Sequence, residues 1–435
     1  MPLESAPMAS PNAAWYERGR DRVMLGVVIA GALLLPLVVN PRDSYDTFRL
    51  PKVLSFLAEG MVVAAVYFAA VVLGGRWVTS WRERWVWLPV GAFAVMALVT
   101  ALSTKPSLSA AALVTGAATL AIFLATVSVA RSRGWMLLGV PLIAAAANAL
   151  LVMVEEAKLW MPFGVKSGVA HHLQCSALVG NPNEVGAYLG AAALAAIAAL
   201  SVRDSKWAMG AGALVLVAGL LASQTLTAAG ALTAAAFAMF ARSSPKQALR
   251  TIAAGIVLVV LVFTLYTPFR TRVANMASWA KQGNYNTLLT DRLTPFTTAA
   301  MMFADRPVTG TGPGTFAWHY YDYKLRAEAR YPLLREAWNR GVNYGEVHND
   351  HLQVLAEGGI LGYAAFVALL AALATISSTA PGSDGDARRR FAWRLAMPLA
   401  IYWIVLSLAQ FPLETPVVRA LLVHLAALCV AWRSS

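Results

Sequence analysis

Apolar runs of about 17–24 residues recur along this chain, separated by short polar loops. In lipid, every backbone N–H and C=O must find its partner within the protein, so such runs become helices or the strands of closed barrels. Barrel strands alternate polar and apolar side chains with a period of two, and no such alternation is present. Composition agrees. The chain is 58% hydrophobic and 13% charged, against about 25% charged in a soluble domain. The sequence therefore predicts an all-α, polytopic membrane protein.

Twelve spans are expected, at 23–39, 53–74, 86–103, 108–130, 134–154, 183–202, 207–222, 226–242, 250–268, 353–376, 395–411 and 416–432. The first run could imitate a signal peptide, but it ends Val38-Val39-Asn40-Pro41-Arg42 without a small-residue cleavage site, so it is expected to be retained. Alternate loops carry Arg18/Arg20/Arg22, Arg76/Arg82/Arg84, Arg131/Arg133, Arg203/Lys206, Arg242/Lys246/Arg250 and Arg388/Arg389/Arg390/Arg394. The positive-inside rule makes that side cytoplasmic, together with both termini. Three parts follow: a nine-span bundle over 1–268, an outer loop domain over 269–352 and a three-span region over 353–435. In a bacterium with two membranes the loop domain is periplasmic. Within it helices are expected from a Thr294 cap with Pro295 at the first position, over 318–329, and over 333–340. Residues 378–386 read as a flexible linker.

The net charge of +13 does not point to nucleic acid. Its cations sit in short loops beside apolar runs, and no arginine tract is interleaved with aromatics. Cys175 and Cys429 are expected at opposite ends of the bundle, too far apart for a disulfide. No cofactor motif is found. Gly310-Thr311-Gly312-Pro313-Gly314 lacks the Lys-Ser/Thr of a phosphate-binding loop.

The candidate chemistry lies on the outer side, where five of the six histidines fall: His171, His172, His319, His348 and His351. His348 stands at the mouth of the tenth span, and an imidazole suits proton transfer near neutral pH. His348 and His351 are spaced to share a helix face. No third Cys, Asp or Glu ligand completes a metal site with them, so no metal is expected. Basic residues form the second signal. Arg49 and Lys52 flank a span on the side where cations are disfavoured, and Arg270, Arg272, Arg292 and Arg306 join them. A guanidinium fork suits a phosphate, although any one of these could be a solvated loop charge. Glu59 and Glu357 are carboxylates inside spans, expected to face a polar interior or to pair with Arg49 or Lys52.

Several stretches resemble the O-antigen ligase family. They are Asp291-Arg292-Leu293, the run from Asp305-Arg306-Pro307 through Gly314-Thr315-Phe316, His348-Asn349-Asp350-His351-Leu352, Glu357-Gly358-Gly359-Ile360-Leu361-Gly362 and Asn181-Pro182-Asn183. The resemblance implies a GT-C-like membrane glycosyltransferase with one large helical periplasmic loop. It implies transfer of O-antigen polysaccharide from undecaprenyl diphosphate to lipid A–core oligosaccharide. A single displacement would invert the anomeric centre, and the lack of an acidic metal motif makes metal independence, with no cofactor, the expectation. It maps the functional histidine onto His348 and a loop arginine onto Arg292. Arg49, Lys52, Arg270, Arg272, Arg306, Asn349, His351 and Glu357 become the expected substrate-binding set. There is one departure. Members often carry Ser-Arg-Gly near the eighth span, where this chain has Gln224-Thr225-Leu226-Thr227-Ala228-Ala229-Gly230, so another cation, such as Arg49, Lys52 or Arg270, would have to substitute. The nearest alternatives are a polymerase of the same superfamily and a protein oligosaccharyltransferase. A lipid-linked sugar flippase is the alternative of another class.

Overall fold

The computed structural model describes residues 11–40, 47–72, 84–161, 175–200, 202, 206–242, 267–335, 344–382 and 386–433, with scattered positions between 246 and 265. Among these every regular element is helical: α1 (Pro11–Leu34), α2 (Arg49–Val72), α3 (Arg84–Ala101), α4 (Pro106–Glu156), α5 (Pro182–Leu200), α6 (Lys206–Ala222) and α7 (Leu226–Ala241), then α8 (Thr267–Lys281), α9 (Tyr285–Leu288), α10 (Leu293–Asp305), α11 (Phe316–Arg330), α12 (Asp350–Thr375), α13 (Ala387–Leu406) and α14 (Pro416–Trp432). Five segments are long and apolar enough to cross a membrane, and four shorter helices are apolar as well. This is the architecture of a polytopic membrane protein. About half of the ninth expected span, 250–268, lies outside the described residues, as do His171, His172, Arg76, Arg82 and Arg203.

Helix α5 forms the centre. It is apolar all round and buried over most of its length, as expected of a helix enclosed by others. Its small residues admit close neighbours, and the Tyr402 hydroxyl bonds the Ala187 carbonyl at 2.7 Å.

The fourth and fifth expected spans join in α4, 51 helical residues with Pro141 among them. A straight helix of that length would run about 76 Å. It is not straight. The turn before it, Thr104, bonds Thr311, and near its far end Glu155 accepts the Ala177 N–H. Its middle meets the opposite end of the bundle, where Trp432 Nε1 donates to the Ala130 carbonyl and Arg388 to that of Arg131. The element therefore turns back near Arg131, between the two apolar segments Pro106–Arg131 and Gly134–Glu156.

Helix α12 breaks at Gly359, whose φ of 59° and ψ of −162° are not helical. The 307–312 segment repairs the break. Thr311 and Gly312 donate to the freed carbonyls of Ala356 and Glu357 at 3.0 and 2.8 Å, and the Ile360 N–H reaches the Pro307 carbonyl at 2.8 Å. Glycine is required on both sides of this seam. A Cβ on Gly359 would strike the Val308 carbonyl, and one on Gly310 the Glu357 backbone. The glycine-rich motif is thus a backbone patch on a broken helix.

Other expectations shift. Helix α10 begins at Leu293 with Arg292 at its cap, so Thr294 is not the cap. Pro295 falls at the third position, where its missing N–H still has no helical partner to lose. Past Tyr331 a single 3-10 turn spans Pro332–Leu334, and 336–340 lie outside the described residues. Helix α13 ends at Leu406, five residues before the expected limit, because 407–414 forms turns.

Candidate active site

At one end of the bundle, four pieces of chain converge: the start of α2, Arg292 at the head of α10, the segment 344–350 leading into α12, and the 407–414 loop between α13 and α14. The loop is their common support. Its backbone carbonyls at Glu414 and Ala409 accept Arg49 at 3.3 Å and Arg292 at 2.5 Å. Asn349 Nδ2 donates to Leu408 at 2.9 Å. The Asp350 N–H reaches Ser407, and Asp350 Oδ2 accepts the Leu413 N–H at 3.1 Å.

His348 sits inside this frame with φ 60°, the left-handed region that a non-glycine residue adopts only when its surroundings hold it there. Both neighbours do so. Asn349 caps α12 by accepting the Leu352 N–H. Gln353 accepts the Val347 N–H at 3.0 Å and donates to Glu414 at 3.3 Å. The imidazole meets the Phe411 ring edge-on at 4.5 Å and Tyr344 at 5.8 Å. Its Nδ1 is buried and has no hydrogen-bond partner. Burial, then the charges of Arg292 and Arg49, push the imidazole down to about 3, so it is neutral at ordinary pH. Burial also lowers Arg292 from its ordinary value, yet a guanidinium stays charged at neutral pH. Arg49 pairs with Glu346 at 2.5 Å.

The expected pairing of His348 and His351 on one helix face does not occur. The left-handed residue and the Asn349 cap end the helix between them, so His348 lies outside it. The His351 ring turns instead to the Ile404 carbonyl at 3.1 Å and packs against Tyr363 and Phe366. Among the described residues no three His, Cys, Asp or Glu side chains converge.

The other expected residues scatter. Lys52 donates to the Val38 and Phe48 carbonyls at 2.7 and 3.1 Å. Glu59 packs two turns deeper against Gly31, away from Arg49 and Lys52. Arg272 reaches the Gln224 carbonyl at 3.2 Å and adds its charge near Arg292. Arg270 is exposed on α8. Arg306 is exposed and adds its charge, with Lys105, beside His319, lowering that imidazole from its ordinary value after burial has done so. Glu357 is buried, and its carboxylate accepts the Gly314 and Phe316 N–H groups at 3.0 and 2.8 Å, capping α11 from another element.

Beside this cluster opens a cavity of about 530 Å³. Arg49, Glu357, Glu414 and Arg419 stand at its head. Its walls are apolar, with Phe93, Met96 and Phe123 facing Leu369 and Leu373, and it reaches Trp85 and Val430 toward the opposite end. Sequence reasoning passed over Glu346, Gln353, Glu414 and Arg419. Arg419 left a signal, a cation inside an apolar run. The others act through contacts across more than 60 residues of chain. None of the curated proteins matches the chain. Residues 211–367, which include Arg292 and His348, match the family model described as O-antigen ligase, and through them this membrane protein carries an O-antigen ligase family domain.

Proposed function

We propose that the protein is an O-antigen ligase. It transfers O-antigen polysaccharide from undecaprenyl diphosphate to lipid A–core oligosaccharide at the periplasmic face of the inner membrane. One observation carries this reading: a neutral, half-buried histidine lies in the field of Arg292 and Arg49, and Arg49 also lines the head of an apolar cavity that runs down the bundle. A lipid-linked donor has the matching form, with an apolar chain, a diphosphate and a sugar in that order. Reading His348 and Arg292 as the working pair rests on the family match over those residues and on this juxtaposition.

In the step we propose, a hydroxyl oxygen of the acceptor attacks the anomeric carbon as the bond from that carbon to the diphosphate oxygen breaks. The hydroxyl proton passes to His348, and undecaprenyl diphosphate leaves. One displacement inverts the anomeric centre. A base of such low proton affinity is weak by itself. The bound diphosphate offsets the field of Arg292 and Arg49, so the imidazole gains basicity when the donor is in place. The same guanidinium groups stabilise the charge that grows on the leaving diphosphate. They supply the positive charge for which other transferases use a metal ion, so the reaction is expected to proceed in EDTA.

The test is transfer by the purified protein from lipid-linked glycan to lipid A–core, with neither nucleotide nor added metal. Glycan on the core acceptor is the expected product. Longer glycan still on the lipid would make the protein a polymerase, and a strict need for one divalent ion would overturn the arginine mechanism.

A further inference from the structure

Arg419 takes no part in the reading above. It lies in the first turn of α14 and lines the head of the apolar cavity beside Arg49. One of its terminal nitrogens donates to the Leu413 carbonyl at 2.6 Å, and the guanidinium lies 4.8 Å over the Phe56 ring. Its Nε is buried with no hydrogen-bond partner. Among the described residues no carboxylate oxygen comes within ion-pair distance of it. Glu414 and Asp350 act on it through space, and Arg49 opposes it. Both carboxylates are engaged elsewhere, Glu414 by Gln353 and Asp350 by Ser407 and Leu413.

A guanidinium left without a direct anion beside an apolar cavity is costly, because Glu414 and Asp350, acting only through space, offset its desolvation in part. An anionic ligand would offset it. The order of groups decides which part of the ligand this is. Arg419 and Arg49 line the cavity that would take the lipid chain, whereas Arg292 stands outside that lining, next to His348. The phosphate nearest the lipid therefore meets Arg419 first.

We propose that Arg419, with Arg49, forms the subsite for the lipid-proximal phosphate of the donor. Arg292 then serves the phosphate that carries the sugar. This division rests on the lipid-linked donor reading and goes beyond it, because it gives the two phosphates different partners.

The experiment measures binding of undecaprenol, undecaprenyl monophosphate and undecaprenyl diphosphate to the purified full-length protein in detergent. Wild type is expected to prefer both phosphates over undecaprenol. Arg419→Gln should weaken the monophosphate and the diphosphate alike, by about tenfold or more, since a charge-assisted contact is lost. Its affinity for undecaprenol should not move. Arg292→Ala should weaken the diphosphate alone. Arg419→Met, close in volume, repeats the test in case the glutamine variant does not fold. Variants that keep wild-type affinity for the monophosphate would overturn the subsite and leave the donor reading intact. Wild type that does not distinguish the phosphates from undecaprenol would overturn the donor reading itself. Collapse of both Arg419 variants would assign this charge to the fold and overturn the proposal.

Discussion

Both ends of the bundle use arginine to tie helices together, yet their backbones differ. At the end away from the site, Arg388 bonds the Arg131 carbonyl, Arg242 that of Ser377, and Arg433 lies 4.5 Å over Trp85. At the site end Arg49 and Arg292 also bond carbonyls. Strained loop residues mark the site end. The non-glycine residues with left-handed φ among those described are Lys158, Cys175, Ala177, Gln224, Thr290, Asp291 and His348, and all belong to loops at the site end. A left-handed residue costs about 1–3 kcal/mol, and it persists where other contacts fix it. The site end is built to hold a few groups in positions that relaxed loops would not choose.

The largest effect expected from this difference is at His348. His348→Ala should leave a folded protein that transfers about 10²–10⁴-fold more slowly, the usual loss on removing a general base. His351→Ala, whose ring packs between Tyr363 and Phe366, should keep measurable transfer per folded molecule. A dead His351→Ala beside an active His348→Ala would reverse the assignment of the two rings.

The next effect is on stability. Gly359→Ala must accept a positive φ and push its Cβ into the Val308 carbonyl. A melting measurement should show a loss of about 3 kcal/mol or more, since the strain adds to lost seam bonds inside the membrane. An alanine that folded with unchanged stability would show the break in α12 to be optional.

Acidity tests the frame around His348 more gently. Its neutral form is the one able to accept a proton, and burial with two arginines holds it neutral down to about 3. Transfer at limiting donor should therefore stay flat as pH falls through about 6.5, the ordinary histidine value. The sign for stability follows the same shift. The unfolded chain takes up this proton near its ordinary value and the native chain does not. Stability is therefore complete above that value and falls as pH drops from there toward the folded value. Loss of kcat/KM centred on the ordinary histidine value would mean that the imidazole is not held neutral in the free enzyme.

The all-helical, membrane-spanning character was legible because bilayer thickness fixes the length of each apolar run. His348 and Arg292 were legible as residue types. Their frame was not. The 407–414 loop reads as the middle of a polar pause between two spans, and nothing local marks its carbonyls as acceptors for two arginines of the cluster. Gly358-Gly359 announces weakness in a helix, whereas the 307–312 segment that repairs it comes from about 50 residues upstream. Residues 131–133 read as a loop, and in the structure they are helical. Local sequence sets each element, while the left-handed turn at His348 is set by partners distant in the chain.

The smallest expected effect lies at the other end and tests whether the two ends are independent. Arg388 donates to the Arg131 carbonyl at 2.9 Å and to Asp386 at 2.9 Å, on a partly exposed surface where Asp386 also caps α13. Exposed pairs of this kind contribute about 1 kcal/mol or less. Arg389 and Arg390 keep the basic character of that loop when Arg388 is removed. Arg388→Ala should therefore lower the melting temperature slightly and leave transfer per folded molecule at the wild-type rate. The rate and the melt must be read on the same preparation, so that lost protein is not mistaken for lost chemistry. A tenfold fall in transfer with an unchanged melt would show that this end communicates with His348, most directly through α13, whose far end at Leu406 leads into the 407–414 loop.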